Sequence, residues 1–288
     1  MNPHTLRNAI LKTQKELCEQ GISEANLDAK ILIEWITNTN LSDRILQPDM
    51  YLSSKEIAQL EHAIQRRIAG EPVHRIIGTR EFYGISFALS QDTLEPRPDT
   101  ETLVDLILPL LKKHGEKSEK ITLLDMGTGS GAIAIAILKH IPQSYAVAVD
   151  ISENALKTAT KNAQSVNVIH RFTPLLSDWF DAVTGQFDLI ISNPPYIPEK
   201  DIPYLAKEVR LYDPLHALIG GKDGLDFYRK LSDKAAKYLK EKSYVAVEIG
   251  YSQEKEVRNL FENNGFKCLE MRKDLSGIPR ALLFAHNY

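Results

Sequence analysis

Hydrophobic residues recur at the three- and four-residue spacing of amphipathic helices through the first seventy positions, as at Leu6 and Ile10. Ser53 and Glu56 stand three residues apart before an apolar run, a capping-box pattern that predicts a helix start. Charged residues occupy many of the remaining positions, as on solvent-facing helix surfaces. The pattern predicts an N-terminal helical domain over residues 1–72.

A different pattern follows, in which β-branched and aromatic residues are concentrated between residues 73 and 95. Two such runs, residues 73–78 and 81–89, are interrupted by Gly78 and Gly84. Short runs of this composition broken by glycine are typical of β-hairpins. We therefore predict a β-hairpin linker over residues 73–95, which joins the helical domain to the rest of the chain.

From residue 96 onward, strand patterns alternate with helical ones. Strands are predicted at residues 121–126, 145–149, 168–172, 187–192, 244–249, 266–271 and 280–286. Helices are predicted at residues 131–140, 153–163, 225–239 and 254–263. This alternation indicates an α/β domain over residues 96–288 with a Rossmann-like, mostly parallel seven-stranded sheet. Because no helix separates the last two strands, we expect an antiparallel strand near one edge.

Composition and charge narrow the range of functions. The chain has 288 residues and a formal net charge of −3, which argues against binding nucleic acid through bulk positive charge. Its two cysteines, Cys18 and Cys268, lie far apart and predict free, buried thiols. The histidines show no metal-ligand spacing, so no metal is expected. No apolar run reaches the ~18 residues of a membrane span, and the N-terminus lacks a signal-peptide pattern. We expect a cytoplasmic monomer without membrane or stable nucleic-acid binding.

A glycine-rich loop joins the first strand of the large domain to its helix. It consists of Gly127, Thr128, Gly129, Ser130 and Gly131. Glycines permit a tight turn and a close approach of the ligand to the backbone, whose N–H groups favour its negative end. Asp150 ends the second strand, where a carboxylate can accept hydrogen bonds from both hydroxyls of a ribose. The pattern predicts an adenosine-containing cofactor.

The spacing alone leaves two cofactor classes open. Gly127, Gly129 and Ala132 formally satisfy the dinucleotide fingerprint G-x-G-x-x-G/A. The additional Gly131 and the acidic Asp125 favour S-adenosylmethionine, because its ammonium and sulfonium groups are positive and it has no pyrophosphate.

Asn193, Pro194, Pro195 and Tyr196 follow the strand predicted at residues 187–192. The two prolines fix two φ angles and remove two N–H donors, so backbone carbonyls stay free as acceptors. Asn193 offers another acceptor, and the Tyr196 ring offers a face for a planar group. Such a corner suits a planar –NH2 group, either a carboxamide or the exocyclic amine of a base. We predict that Asn193, Pro194 and Tyr196 are catalytic, that all four residues bind substrate, and that positioning provides most of the catalysis.

Together these motifs resemble those of the HemK/PrmC family of protein-glutamine methyltransferases. The similarity extends to residues 96–101 (Pro-Arg-Pro-Asp-Thr-Glu), residues 220–225 (Gly-Gly-Lys-Asp-Gly-Leu) and residues 248–250 (Glu-Ile-Gly), and it covers essentially the whole chain. One departure is Glu95, where the family usually carries an apolar residue. The resemblance implies a class I S-adenosylmethionine-dependent methyltransferase domain preceded by a helical substrate-docking domain.

The resemblance also implies an activity and a set of contacts. The activity is methyl transfer from S-adenosyl-L-methionine to the side-chain amide nitrogen of the glutamine in the Gly-Gly-Gln motif of class I peptide chain release factors, which leaves S-adenosyl-L-homocysteine. Residues 127–131 would hold the methionine end, Asp150 the ribose, and Trp179 would flank the adenine. Asn193 would touch both cofactor and substrate. Arg97 and Glu101 are equally explained as a turn residue and as an acid in the first turn of a helix, so they are given no role in the site.

Three alternatives stay open at this point. A methyltransferase acting on exocyclic amines of DNA or RNA bases would use the same Asn-Pro-Pro-Tyr corner. A dinucleotide-dependent oxidoreductase would share the glycine loop but would leave that corner without a purpose. A non-catalytic cofactor-binding adaptor would need neither Asn193 nor Tyr196.

Overall fold

The computed structural model describes residues 4–115 and 120–286. The chain divides into two compact units, Met1–Gly78 and Thr79–Tyr288. The helices of the first unit are α1 Leu6–Glu19, α2 Ala25–Thr37, α3 Leu41–Leu46, α4 Ser54–Ile68 and α5 Val73–Ile77. No described helix combines the length and the apolar character needed to cross a membrane.

Helices α1, α2 and α4 bury their apolar faces against one another, with Leu17, Leu32 and Ile64 in the core of the first unit. The capping box predicted from the sequence is confirmed, because Ser53 N donates to Glu56 Oε2 at 2.7 Å and Glu56 N donates to Ser53 Oγ at 3.3 Å. One ion pair lies inside this core. It joins Arg67 Nε to Asp28 Oδ2 at 2.6 Å, and both side chains are only 5% exposed.

The prediction that residues 73–77 belong to the hairpin is wrong, because they form the short helix α5. Val73 and Ile76 lie one helical turn apart and are both buried in the core of the first unit. Pro72 precedes the helix, and Gly78 ends it with a φ of 77°. Burial of one helix face therefore outweighs the strand preference of these β-branched residues.

The hairpin itself is shorter than predicted and belongs to the second unit. Strands β1 Thr79–Phe82 and β2 Ile85–Ala88 pair antiparallel. Their two-residue connection, Tyr83 and Gly84, has positive φ at both positions, which fits the twist of a tight hairpin.

The remaining helices and strands alternate through the second unit. They are α6 Glu101–Gly115, β3 Ile121–Met126, α7 Ala132–His140, β4 Ser144–Asp150, α8 Glu153–Ser165, β5 Phe172–Leu176, β6 Phe187–Ser192, α9 Lys207–Tyr212, α10 Asp226–Lys234, β7 Leu239–Glu248, α11 Glu254–Asn263, β8 Phe266–Lys273 and β9 Pro279–His286.

The large sheet has seven strands in the order β5-β4-β3-β6-β7-β9-β8. The first five in this order run parallel, and β9 is antiparallel to both neighbours. Helices α6, α7 and α8 contribute to one apolar core, and α10 and α11 contribute to a second. The predicted fold class is confirmed. After β3 the chain adds β4 and β5 on one side and then returns to add β6 on the other, so a crevice is expected at the carboxyl ends of these strands.

Two predicted elements are displaced along the chain. The strand predicted at 168–172 lies at Phe172–Leu176, because the preceding residues form a 3-10 turn at Ile169–Arg171. This is an edge strand, which tolerates the missing N–H of Pro174. The helix predicted to reach residue 239 ends at Lys234, and β7 begins at Leu239 after another 3-10 turn.

The burial expected for the two cysteines is wrong. Both are free, but Cys18 is exposed on α1 and Cys268 is only partly buried on β8. Cys18 follows the buried Leu17 and lies outside the buried face of the amphipathic helix α1. Strand β8 is the other edge of the sheet, so its side chains are less covered.

Candidate active site

A cavity of about 200 Å³ opens at the carboxyl ends of β3, β4 and β6. Most of the residues predicted for the site line it, namely Gly127, Thr128, Gly129, Ser130, Asp150, Trp179, Asn193 and Pro195. Three predicted residues, Gly131, Pro194 and Tyr196, are not part of the lining. The parallel sheet therefore brings the glycine loop, the acid after β4 and the Asn-Pro-Pro-Tyr corner to one place.

The glycines of the loop have two different environments. Gly127 and Gly129 have positive φ, and no atom lies within 4 Å of the position where a Cβ would stand. Gly131 also has positive φ, but a Cβ there would lie 2.7 Å from Ile135 Cδ1 and 3.2 Å from Ala159 Cβ. Gly127 and Gly129 thus leave space over the backbone, whereas Gly131 permits close packing of α7 on α8.

Asp150 is held in place by the backbone around it. Its Oδ2 accepts from Gly129 N at 2.8 Å, and its Oδ1 accepts from Ser152 N at 2.9 Å. Each carboxylate oxygen has a further lone pair, so the group can still accept hydrogen bonds from two hydroxyl groups of a ligand in the cavity.

Asp125 has a different place from the one assumed in the sequence argument. It lies buried beneath the loop, where its Oδ2 accepts from Thr128 Oγ1 at 2.7 Å, and it does not line the cavity. Burial raises the pKa of this carboxyl to about 7. The structure therefore gives Asp125 a role in fixing the loop, and does not support a direct contact with a positive ligand group.

Trp179 forms a flat wall of the cavity just after β5. Its ring packs on Phe227, with 4.1 Å between centroids, so one side of the indole is fixed by the protein. Its φ of 52° lies in the left-handed region, which a large side chain rarely adopts. Such strain persists only where the surroundings require it, and here it turns the indole toward the cavity.

The Asn-Pro-Pro-Tyr corner begins where β6 ends beside β3. Ser192 Oγ donates to the main-chain oxygen of Met126 at 2.5 Å and ties the two strand ends together. Asn193 Nδ2 then donates to Thr100 Oγ1 at 3.0 Å. Because the amide nitrogen is used within the protein, Oδ1 is the atom of Asn193 left to accept a hydrogen bond.

Tyr196 lies behind the corner. Its hydroxyl donates to Glu248 Oε1 at 3.3 Å, and its main-chain oxygen accepts from Gln253 Nε2 at 3.0 Å. A Cβ at Gly220 would lie 2.7 Å from the Pro195 oxygen, so the loop after α9 can approach this closely only as glycine. The structure thus gives the Tyr196 side chain a supporting position, and the face predicted to stack on a substrate is not part of the cavity lining.

Comparison with known proteins decides the family. The PrmC N-terminal domain family matches residues 8–78, and the methyltransferase small domain family matches residues 100–209. The release factor glutamine methyltransferase of Agrobacterium fabrum is 42% identical over 97% of this chain and 97% of its own length. The chain belongs to the release factor glutamine methyltransferase family. The Bradyrhizobium diazoefficiens member is 44% identical over 91% of this chain and 88% of its own.

The fold of this family member also resembles distant solved structures. A methyltransferase from Pyrococcus furiosus superposes with a TM-score of 0.55 at 18% identity, covering 82% of this chain and 100% of that one. At this identity the similarity concerns the fold alone.

In this member of the release factor glutamine methyltransferase family, the departure at Glu95 is accommodated by charge pairing. Glu95 is buried, and its Oε1 lies 3.4 Å from Arg80 Nη1 on β1. Among residues 4–115 and 120–286, no group of three or more His, Cys, Asp or Glu side chains is arranged to hold a metal ion.

Sequence reasoning missed three residues at the site. Thr100 and Arg97 line the cavity, and Arg97 Nη2 pairs with Asp213 Oδ2 at 2.6 Å. Glu248, at the end of β7, is fully buried behind Tyr196. The available signal was the Pro-Arg-Pro-Asp-Thr-Glu and Glu-Ile-Gly segments, which carried the family resemblance without an assigned role.

Proposed function

We propose that the protein transfers a methyl group from S-adenosyl-L-methionine to the side-chain amide nitrogen of the glutamine in the Gly-Gly-Gln motif of class I peptide chain release factors. The observation that carries the proposal is the orientation of Asn193, whose Nδ2 is bonded to Thr100 and whose Oδ1 is left as an acceptor at the cavity. Relatives that cover nearly the whole chain are named release factor glutamine methyltransferases, which supports the choice of substrate.

The cavity residues fit the parts of S-adenosylmethionine. The open faces of Gly127 and Gly129 allow the methionine end to approach the backbone. Asp150 retains acceptor capacity for the ribose hydroxyls, and Trp179 offers a flat surface for the adenine. When bound, this cofactor supplies a methyl group on a positively charged sulfur.

Asn193 and Pro194 act on the substrate as acceptors. A carboxamide –NH2 group has two N–H bonds, and in this proposal Asn193 Oδ1 accepts a hydrogen bond from one and the Pro194 carbonyl accepts a hydrogen bond from the other. The nitrogen lone pair is delocalised into the carbonyl, which makes it a poor nucleophile. Accepting hydrogen bonds from both N–H groups raises the electron density on nitrogen and fixes the direction of the group. Pro195 adds an apolar part of the wall, and Tyr196 supports the corner from behind.

The test is transfer of a labelled methyl group to four acceptors: a class I release factor, the same factor with the motif glutamine replaced, DNA and RNA. We expect label only in the unmodified factor. Asn193→Ala should lower transfer by about 100-fold or more, while cofactor binding stays measurable. Asn154→Ala, an exposed asparagine on α8, is the matched control and should behave as wild type. Label in nucleic acid but not in the factor would overturn the proposal.

The monomeric state, the cytoplasmic location and the absence of stable nucleic-acid binding stay predictions. A substrate-docking role for the helical domain and a domain boundary at residue 95 are proposals as well. Sedimentation measurements, and binding of release factor to the full chain and to variants of exposed α3 residues, would test them.

A further inference from the structure

The carboxyl group of Glu248 is buried directly behind the Asn-Pro-Pro-Tyr corner. The residue is 1% exposed, and its Oε1 accepts from the Tyr196 hydroxyl at 3.3 Å. Its second oxygen, Oε2, is buried, and no hydrogen bond of ordinary geometry reaches it from the described residues. A buried carboxylate oxygen is costly without a donor, so the surroundings of Oε2 need an explanation.

Thr100 connects this carboxyl to Asn193. The Thr100 hydroxyl accepts from Asn193 Nδ2 at 3.0 Å, and the Thr100 side chain lowers the pKa of the Glu248 carboxyl. A threonine hydroxyl has one proton and two lone pairs. Since one lone pair is occupied by Asn193, the proton is available to Glu248.

The direction of this chain of hydrogen bonds depends on the acceptor at its end. A carboxylate only accepts, so a Thr100 hydroxyl that turns toward Glu248 donates its hydrogen there and keeps its oxygen to accept from Asn193. An amide or a protonated carboxyl at position 248 can donate to Thr100 instead. Thr100 can then turn its own proton to Asn193, whose side chain is free to rotate and present Nδ2 to the substrate. The Asn193 NH2 group would then face the substrate NH2 group, and the substrate amide would lose Asn193 Oδ1 as its acceptor.

We propose that Glu248 is a positioning residue for methyl transfer, which acts through Thr100 and Tyr196 to keep the Asn193 side-chain oxygen turned toward the substrate amide. The expected effects on kcat rest on the proposed function, whereas the orientation of the Asn193 side chain can be measured without any substrate.

Several charged and polar groups face Glu248 and set its protonation. Arg280 on β9 favours the carboxylate, while Asp99 disfavours it. The Tyr228 hydroxyl donates to the main-chain oxygen of Glu248 at 2.9 Å. Burial dominates and raises the pKa of the Glu248 carboxyl to about 7. Methyl transfer should therefore increase with pH through this range as the carboxylate forms.

The kinetic test compares Glu248→Gln with the wild type. We expect kcat to fall about 10- to 100-fold, with little change in the Kd of the cofactor and with loss of the rise in kcat near pH 7. Thr100→Val should lower kcat to a similar extent, whereas Thr100→Ser, which keeps the hydroxyl, should retain activity. The double variant Thr100→Val with Glu248→Gln should have a kcat no lower than that of either single variant. Asp188→Asn is the matched control, since this partly buried acid at the start of β6 bonds Thr122 and Lys240 far from the cavity.

A second measurement separates this inference from the proposed function. In ¹⁵N-labelled protein, the side-chain NH2 signals of Asn193, assigned by their loss in Asn193→Asp, should shift with pH near 7 in the wild type and not in Glu248→Gln. Unchanged Asn193 signals, wild-type kcat in Glu248→Gln, or additive effects of the two substitutions would overturn the positioning role. Absence of release-factor methylation by the wild type, with the Asn193 signals behaving as expected, would refute only the proposed function.

Discussion

The Gly131→Ala substitution should destabilise the second unit, whereas Gly129→Ala should mainly weaken cofactor binding. Both glycines belong to the same loop and both have positive φ. They differ in what a methyl group would meet, since Gly129 faces open space and Gly131 faces the side chains of Ile135 and Ala159. The pair therefore distinguishes packing of the loop from its contact with the ligand.

The size of the effect follows from two costs. A left-handed φ costs an alanine about 1–2 kcal/mol, and this applies at both positions. At Gly131, the Cβ would lie 2.7 Å from Ile135 Cδ1 and 3.2 Å from Ala159 Cβ. Overpacking of this kind adds about 1–3 kcal/mol. We therefore expect a loss of unfolding free energy of about 2–5 kcal/mol for Gly131→Ala and about 1–2 kcal/mol for Gly129→Ala.

Thermal unfolding and titration calorimetry with S-adenosylhomocysteine measure the two effects separately. Gly131→Ala should lower Tm by about 5–15 °C, with the Kd of the folded protein close to that of the wild type. Gly129→Ala should lower Tm less and raise Kd by about tenfold or more, because its methyl group occupies space over the loop. Wild-type stability of Gly131→Ala together with lost binding would refute the reasoning, since it would place Gly131 at the ligand.

Three further predictions concern acidic side chains. Asp150→Asn should raise the cofactor Kd about 10- to 100-fold by calorimetry, because one charged acceptor is replaced by an amide; an unchanged Kd would argue against ribose binding at Asp150. Asp28→Ala removes the carboxylate that pairs with buried Arg67 and should lower the free energy of unfolding, measured in urea, by about 3–5 kcal/mol. A loss below about 1 kcal/mol, as for an exposed ion pair, would contradict the burial of this pair. Burial raises the pKa of Asp125 from 3.8 to about 7, so its contribution to stability is present below pH 3.8 and is lost as pH rises to about 7. Asp125→Asn should flatten the stability profile across that window, and an unchanged profile would assign the pH dependence to other groups.

The elements that the sequence predicted well are those in which local pattern and tertiary environment agree. Strands β3 and β6 are mostly apolar and almost entirely buried, as expected for strands covered on both faces. The glycine loop and the two prolines of the corner constrain the backbone locally, so their positions at strand ends follow from short-range geometry. The α5 helix was missed because burial of Val73 and Ile76 overrides the strand preference of its β-branched residues.

The residues of the functional site also fall into two groups, those predicted from local sequence and those found only in the structure. From the sequence alone came the fold class, the glycine loop, Asp150 and the Asn-Pro-Pro-Tyr corner, because each is a short segment whose residue types restrict its chemistry. Only the tertiary structure decided that Thr100, 93 positions before Asn193, accepts from the amide of that residue, and that Glu248 accepts from the Tyr196 hydroxyl. Hydrogen bonds between distant segments depend on distances set by the whole sheet, and no local pattern of residues encodes them.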